Sequence, residues 1–205
     1  QGLPIHLATD DVKRYHFIAL PEQSYHTRWD AATKSIIFQD PGSGYTTRSV
    51  MLTFEGAPSR MSFTSPVVTG WTIAESATGA ADSFTPCVVT IDGDKLSYSL
   101  HYTTRYVRIN YLSPGREVVP LSNLVIEGDP LLLVNPEELE FSDEEKVKTL
   151  TLTTANLKKI RIELDNNTDF QITHEKEDNV SHEYTLDGNL YPNALGINKM
   201  DDIQI

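Results

Sequence analysis

Two segments in the first half of the chain alternate with a period of two. Val50, Leu52 and Phe54 are separated by Met51, Thr53 and Glu55, and Val107, Ile109 and Tyr111 by Tyr106, Arg108 and Asn110. Successive side chains on an extended strand point to opposite faces, so each segment reads as a strand with one buried face. Segments Met51–Phe63 and Thr104–Tyr111 are therefore expected to be partners in one antiparallel β-sandwich. Apolar residues at helical spacing are wanting by comparison, and the best candidate, Arg28–Ser35, is too short for a stable helix. The expected class is all-β.

Further strands are expected at Tyr15–Ala19, Ser35–Phe38, Arg60–Ser65 and Gly70–Glu75, with a reversal at Asp40–Gly44 where Pro41, Gly42 and Gly44 fix or free φ. Val88–Ile91 and Lys95–Leu100 read as a hairpin closed by Asp92-Gly93-Asp94. Beyond Gly128 the same pattern returns at Leu131–Val134, Glu138–Phe141, Thr149–Thr154, Ile160–Leu164 and Asp202–Ile205.

Charge marks a boundary between the two stretches. Up to Gly128, ten Lys/Arg against twelve Asp/Glu leave −2; from Asp129, seven against seventeen leave −10, which together make the net −12 of the 205-residue chain. Domains at 1–128 and 129–205 follow. A sandwich of the immunoglobulin type takes about seven strands in ~100 residues, so the shorter second module is expected to be incomplete. An acidic chain without a basic stripe is repelled by phosphate backbones and anionic membranes, which argues against nucleic acid and membrane surfaces as partners. No run of 18 apolar residues occurs, so membrane insertion is not expected. Gln1-Gly2 carries no leader pattern, and any export signal is expected to have been removed.

Candidate chemistry is sparse. Cys87, the single cysteine, lies in the strand-like run Cys87–Ile91 and reads as a small core residue. Six scattered histidines show no i, i+4 pair beside a glutamate, so neither a metal nor a cofactor is expected. Asp92-Gly93-Asp94 and the group Asp165, Asn166, Asn167 and Asp169 invite a calcium reading, but calcium takes six to eight oxygens and a turn explains the same residues. The acidic run through Glu137, Glu138, Glu140, Asp143, Glu144 and Glu145 reads as a solvated face. Two sequons, at Asn166 and Asn179, arise easily by chance. No Gly-x-Ser-x-Gly elbow occurs and no linear spacing sets two carboxylates across a cleft, so no catalytic residue is assigned.

Aromatic rings are the better candidates, because the apolar C–H faces of sugars stack on indole and phenol. Trp29, Tyr45, Trp71, Tyr102 and Tyr106 supply such rings, with Arg105 beside them as a hydroxyl partner and Arg48 and Asn110 as further ones. Trp71, in Gly70-Trp-Thr-Ile73, reads equally as a core anchor.

The strand segments resemble those of secreted Bacteroidetes surface proteins. Leu52–Phe63, Trp71–Ser76, Thr104–Tyr111 and Leu121–Ile126 look like successive strands of a jelly-roll, galactose-binding-like domain. Val134–Phe141, Thr149–Leu157 and Asp169–Ile172 are similar to Ig-like spacer modules. The resemblance implies a jelly-roll β-sandwich followed by a smaller Ig-like β-sandwich, in a non-catalytic protein at the periplasm or cell surface. Such a protein would bind a glycan or cell-surface polymer through the first module. The alternative is a structural or adhesive spacer without a small-molecule ligand, which meets a protein partner through its C-terminal module.

Overall fold

The computed structural model describes residues 3–4, 7–9, 15–17, 19–136, 138–139, 144–157, 160–164, 167–174 and 181–187. All regular secondary structure among them is strand. In the first stretch these are β1 (Leu3–Pro4), β2 (Leu7–Thr9), β3 (Tyr15–Phe17), β4 (Leu20–Tyr25), β5 (Thr27–Asp30), β6 (Ser35–Phe38) and β7 (Thr47–Thr53). Next come β8 (Arg60–Thr64), β9 (Trp71–Ser76), β10 (Thr85–Pro86), β11 (Val89–Asp92), β12 (Lys95–Ser99), β13 (Tyr106–Leu112) and β14 (Val119–Gly128). The last are β15 (Leu131–Asn135), β16 (Glu138–Leu139), β17 (Val147–Ala155), β18 (Ile160–Leu164), β19 (Asn167–His174) and β20 (Ser181–Asp187). The strand expected at Asp202–Ile205 lies outside the described residues. So do Asp165, Asn166 and Asn179 and, in the acidic run, Glu137, Glu140 and Asp143.

The chain divides into two compact units, Arg14–Asp129 and a second made of Gln1–Lys13 with Pro130–Ile205. This differs from a single division at 128/129, and the reason is backbone pairing over long range. Strand β1 pairs with β16, and β2 with β18. Sequence contiguity gives no sign of such non-local ladders. In this second unit β15-β17-β20 and β19-β18-β2 form two three-stranded antiparallel sheets. Leu150 and Leu152 alternate with threonines on β17 and are fully buried, as are Ala155 and Leu157.

The Arg14–Asp129 unit is a sandwich of two antiparallel sheets. One has the order β10-β9-β13-β7-β4; the other runs β11-β12-β8-β14-β6-β5, with β3 also on β14. The two alternating segments are direct neighbours: Val50 pairs with Ile109 and Leu52 with Val107. Their inward residues meet Phe38, Met61, Phe63, Leu96, Leu121 and Ile126 of the facing sheet in one core. Each side chain buried this way contributes roughly 1.5–3 kcal/mol. The β11–β12 hairpin closes through Gly93-Asp94, where Gly93 takes φ 61°, so backbone geometry accounts for the Asp-Gly-Asp residues.

One departure from regular alternation positions the candidate site. Strand β14 pairs with β6 over 119–122 and with β3 over 126–128, both antiparallel, so β3 and β6 lie in line along the same side of β14. The chain between them leaves that line to form β4 on the edge of the five-stranded sheet and β5 on the edge of the other. His26, at φ 55°, is the corner where it changes sheet, and its carbonyl accepts the Gln39 N–H at 2.9 Å. Opposite the gap, β14 bulges between Ser122 and Val125 with Asn123 at φ 54°, a left-handed conformation that asparagine tolerates.

At the end of this core Arg48 is fully buried. Its Nη1 donates to the carbonyls of Phe38 (3.4 Å), Gln39 (3.0 Å) and Glu117, and the guanidinium lies 4.8 Å from the Tyr111 ring centroid. Arg48 is thus a clamp on the sandwich end and is not free to meet a ligand hydroxyl. The Ser113 hydroxyl, then the Tyr111 hydroxyl and the Arg48 charge, hold the Glu117 carboxyl below its ordinary range. A carboxyl depressed on folding adds stability above its unfolded pKa, and that contribution is lost as pH falls through the folded value. Acid titration of unfolding should therefore show a smaller pH dependence in Glu117→Gln below the ordinary glutamate range; identical acid limbs would contradict the assignment.

Candidate functional site

Trp29 stands on β5 opposite Ile36, which is itself opposite Leu121 on β14, so the three form one row on one face. Ile36 and Leu121 are buried, whereas Trp29, on the edge strand, is 58% exposed. The gap between β3 and β6 opens beside this ring as a cleft of about 510 Å³. Its floor is Ala19, Leu121, Leu124 and Ile126; Thr33, Lys34 and Asn123 supply the polar rim. The β5–β6 turn that carries Thr33 and Lys34 is fixed by Asp30, whose carboxylate accepts the Ala32 N–H at 3.1 Å and the Thr33 hydroxyl at 2.9 Å. The Thr33 hydrogen bond is the main cause that holds the Asp30 carboxyl below its usual range. Asn123 donates its Nδ2 to the Thr64 hydroxyl at 2.9 Å, which orients its amide at the bulge. An exposed indole over an apolar floor with donors and acceptors at the margin can stack a flat apolar face and hydrogen-bond its edge.

The rings singled out by sequence do not come together around Trp29. Tyr45 is 55% exposed and lies 5.8 Å, ring to ring, from His26, which is 4.2 Å from the exposed Tyr25, a separate aromatic group at the sheet corner. Trp71 packs edge-on against Phe38, Phe63 and Tyr111 with centroids 4.8–5.2 Å apart, and its Nε1–H donates to the Val67 carbonyl at 2.7 Å. It is a core anchor. Arg105 spends Nη1 on the carbonyls of Gly56 (2.5 Å), Thr104 (2.9 Å) and Tyr102 (3.2 Å), which ties two loops together. Burial, then the Asp129 charge, pushes the Tyr102 phenol up. The half-buried ring of Tyr106 lies against Gly79, where even a Cβ would come within 3.1 Å of it, so one side of that ring is packed. Nearby, the Arg108 guanidinium stacks 3.9 Å from the Phe84 centroid.

Lys34, Asn123 and Leu124 were not among the residues expected to bind. The sequence does carry one sign of their setting. Inward positions on β14 are odd at Val119 and Leu121 but even at Ile126 and Gly128, a parity change that only a bulge can produce.

Two other polar groupings compete for attention. On the outer face of the larger sheet a groove of about 480 Å³ is lined by Arg60, Lys95, Ser62, Ser97 and Glu127 among others. Arg60 there is spent on Glu127, at 2.9 Å, and Tyr98 turns its ring inward to stack on Phe63, so no aromatic face is offered. The second grouping is Glu75, buried on β9, whose carboxylate accepts the His101 backbone N–H at 3.2 Å and also contacts His101 Nδ1. Burial first, then the Glu75 charge, raises the Cys87 thiol to about 12. That is the reverse of the depression an attacking thiolate needs. Cys87 is accordingly expected to resist iodoacetamide at pH 8 in the native protein and to react at an ordinary rate once unfolded; equal rates would overturn this.

Among the described residues no group of three or more His, Cys, Asp or Glu is placed to hold a metal ion, and no helix is long and apolar enough to cross a membrane. Comparison with known proteins finds no match, either to a family model or to a curated protein sequence.

Proposed function

We propose that the chain is a non-catalytic, exported glycan-binding protein whose site is the Trp29 cleft of a jelly-roll, galactose-binding-like module. The remaining unit then serves as an Ig-like spacer. The observation that carries this reading is the exposed indole of Trp29 beside a cleft with an apolar floor and a polar rim. A sugar face stacked on this ring would remove apolar surface from solvent. The placement outside the cell rests on the resemblance of the strand segments to secreted Bacteroidetes proteins. A single aromatic platform gives weak binding that multivalent display would strengthen.

The test is a broad glycan array probed with the wild-type chain and with Trp29→Ala. Removing a central aromatic anchor costs on the order of 2 kcal/mol, roughly thirtyfold in affinity, so Trp29→Ala should lose signal on every glycan the wild type binds. Unchanged signal in the variant would sink the assignment. The alternative, a structural or adhesive spacer, draws on Trp71, Tyr102, Arg105 and Tyr106, all engaged in packing or backbone clamping. Silence of the wild type on every glycan would favour it.

A further inference from the structure

Lys34 stands on the rim of the Trp29 cleft, and it is the one charged side chain among the described lining residues. Its ammonium forms no ion pair among the described residues, whereas Asp30, the nearest acid in sequence, is committed to the turn through Ala32 and Thr33. The residue is held at φ 52°, a conformation that favours glycine or asparagine, so a lysine here runs against local preference. Nine Lys/Arg against eleven Asp/Glu over residues 14–129 leave this unit at −2, and the bulk of the net −12 belongs to the other unit. Lys34 is exposed, so an anion can reach its ammonium from solvent, and their attraction is salt-dependent.

We infer that the cleft selects an anionic saccharide, one sugar face stacked on Trp29 and its carboxylate or sulfate on the Lys34 ammonium. This rests on the glycan-binding reading and names its ligand class. An ammonium is a point charge without the fork geometry of a guanidinium, so the selection is for charge and either anionic group satisfies it. A neutral saccharide would use the indole and the rim hydrogen bonds alone.

The experiment compares an oligogalacturonide, a sulfated heparin-type oligosaccharide and a neutral oligosaccharide of equal length by calorimetry on the full chain. The chains are wild type, Lys34→Gln, Lys34→Arg and Trp29→Ala, at about 0.01 M and about 0.15 M salt, where the screening length falls from about 30 Å to about 8 Å. One charge-assisted contact predicts about a tenfold preference for the anionic ligands at low salt. That preference should shrink at the higher salt, vanish in Lys34→Gln and survive in Lys34→Arg. A ratio unchanged in Lys34→Gln, or a preference for the neutral ligand, overturns the inference and leaves glycan binding standing. Absence of binding by all three, with Trp29→Ala indistinguishable from wild type, overturns both.

Discussion

Arg48→Ala should lower the stability of the Arg14–Asp129 sandwich by about 3–5 kcal/mol, the range for truncating a large, fully buried side chain and stranding the buried carbonyls it serves. The truncation strips a donor from the carbonyls of Phe38, Gln39 and Glu117 at once and leaves a cavity against the Tyr111 ring. Arg48→Met separates the contributions. Nε and Nη2 have no hydrogen-bond partner among the described residues, and Nη2 is 3.9 Å from Glu117, so part of this cation is buried without compensation there. An apolar side chain of similar length fills the space and removes that penalty, and its net cost should be roughly 1–2 kcal/mol. Urea unfolding at constant m reads both variants. An alanine variant within about 0.5 kcal/mol of wild type would mean that the clamp contributes little.

The second large effect separates the two tryptophans. Trp71→Ala is expected to cost about 3–5 kcal/mol, as large-to-small changes of core aromatics do, because it vacates the space between Phe38, Phe63 and Tyr111 and leaves the Val67 carbonyl without its donor. Trp29→Ala, at an exposed edge position, should stay within about 0.5 kcal/mol. Binding lost in Trp71→Ala would then follow unfolding, whereas binding lost in Trp29→Ala would not. Comparable midpoints for the two variants in thermal unfolding would contradict the placement of Trp71 in the core.

The contrast also shows which parts of the molecule were legible in the sequence. Strand β13 buries alternate residues, and apolar residues alternate along β7 and β8 although Met51 and Ser62 are buried as well, so period-two alternation exposes these strands directly. Strand β4, Leu-Pro-Glu-Gln-Ser-Tyr, is an edge strand exposed along its whole length, so no alternation was imposed on it, and Pro21 reads as a loop residue. For the same reason no alternation marks the strand β5 that carries Trp29. The cleft depends on strands far apart in sequence, with β3 and β6 in line along β14 and β5 folded back beside them. No local pattern reports that arrangement; only the parity change between Leu121 and Ile126 hints at the bulge facing it. Arg48 and Arg105 were open to a ligand-binding reading because an arginine side chain can reach a backbone carbonyl as readily as a sugar hydroxyl, and only the fold brings the carbonyls to them.

The central claim is that the Trp29 indole meets a saccharide while that of Trp71 holds the core. The chain contains two tryptophans, so a ¹⁵N-labelled sample gives two indole Nε1–H signals, which Trp71→Phe assigns. Titration with neutral and anionic oligosaccharides should shift the Trp29 signal progressively and leave that of Trp71, bound to the Val67 carbonyl, in place. A Trp29 signal that stays fixed at saturating saccharide, or a shift confined to Trp71, would contradict the account.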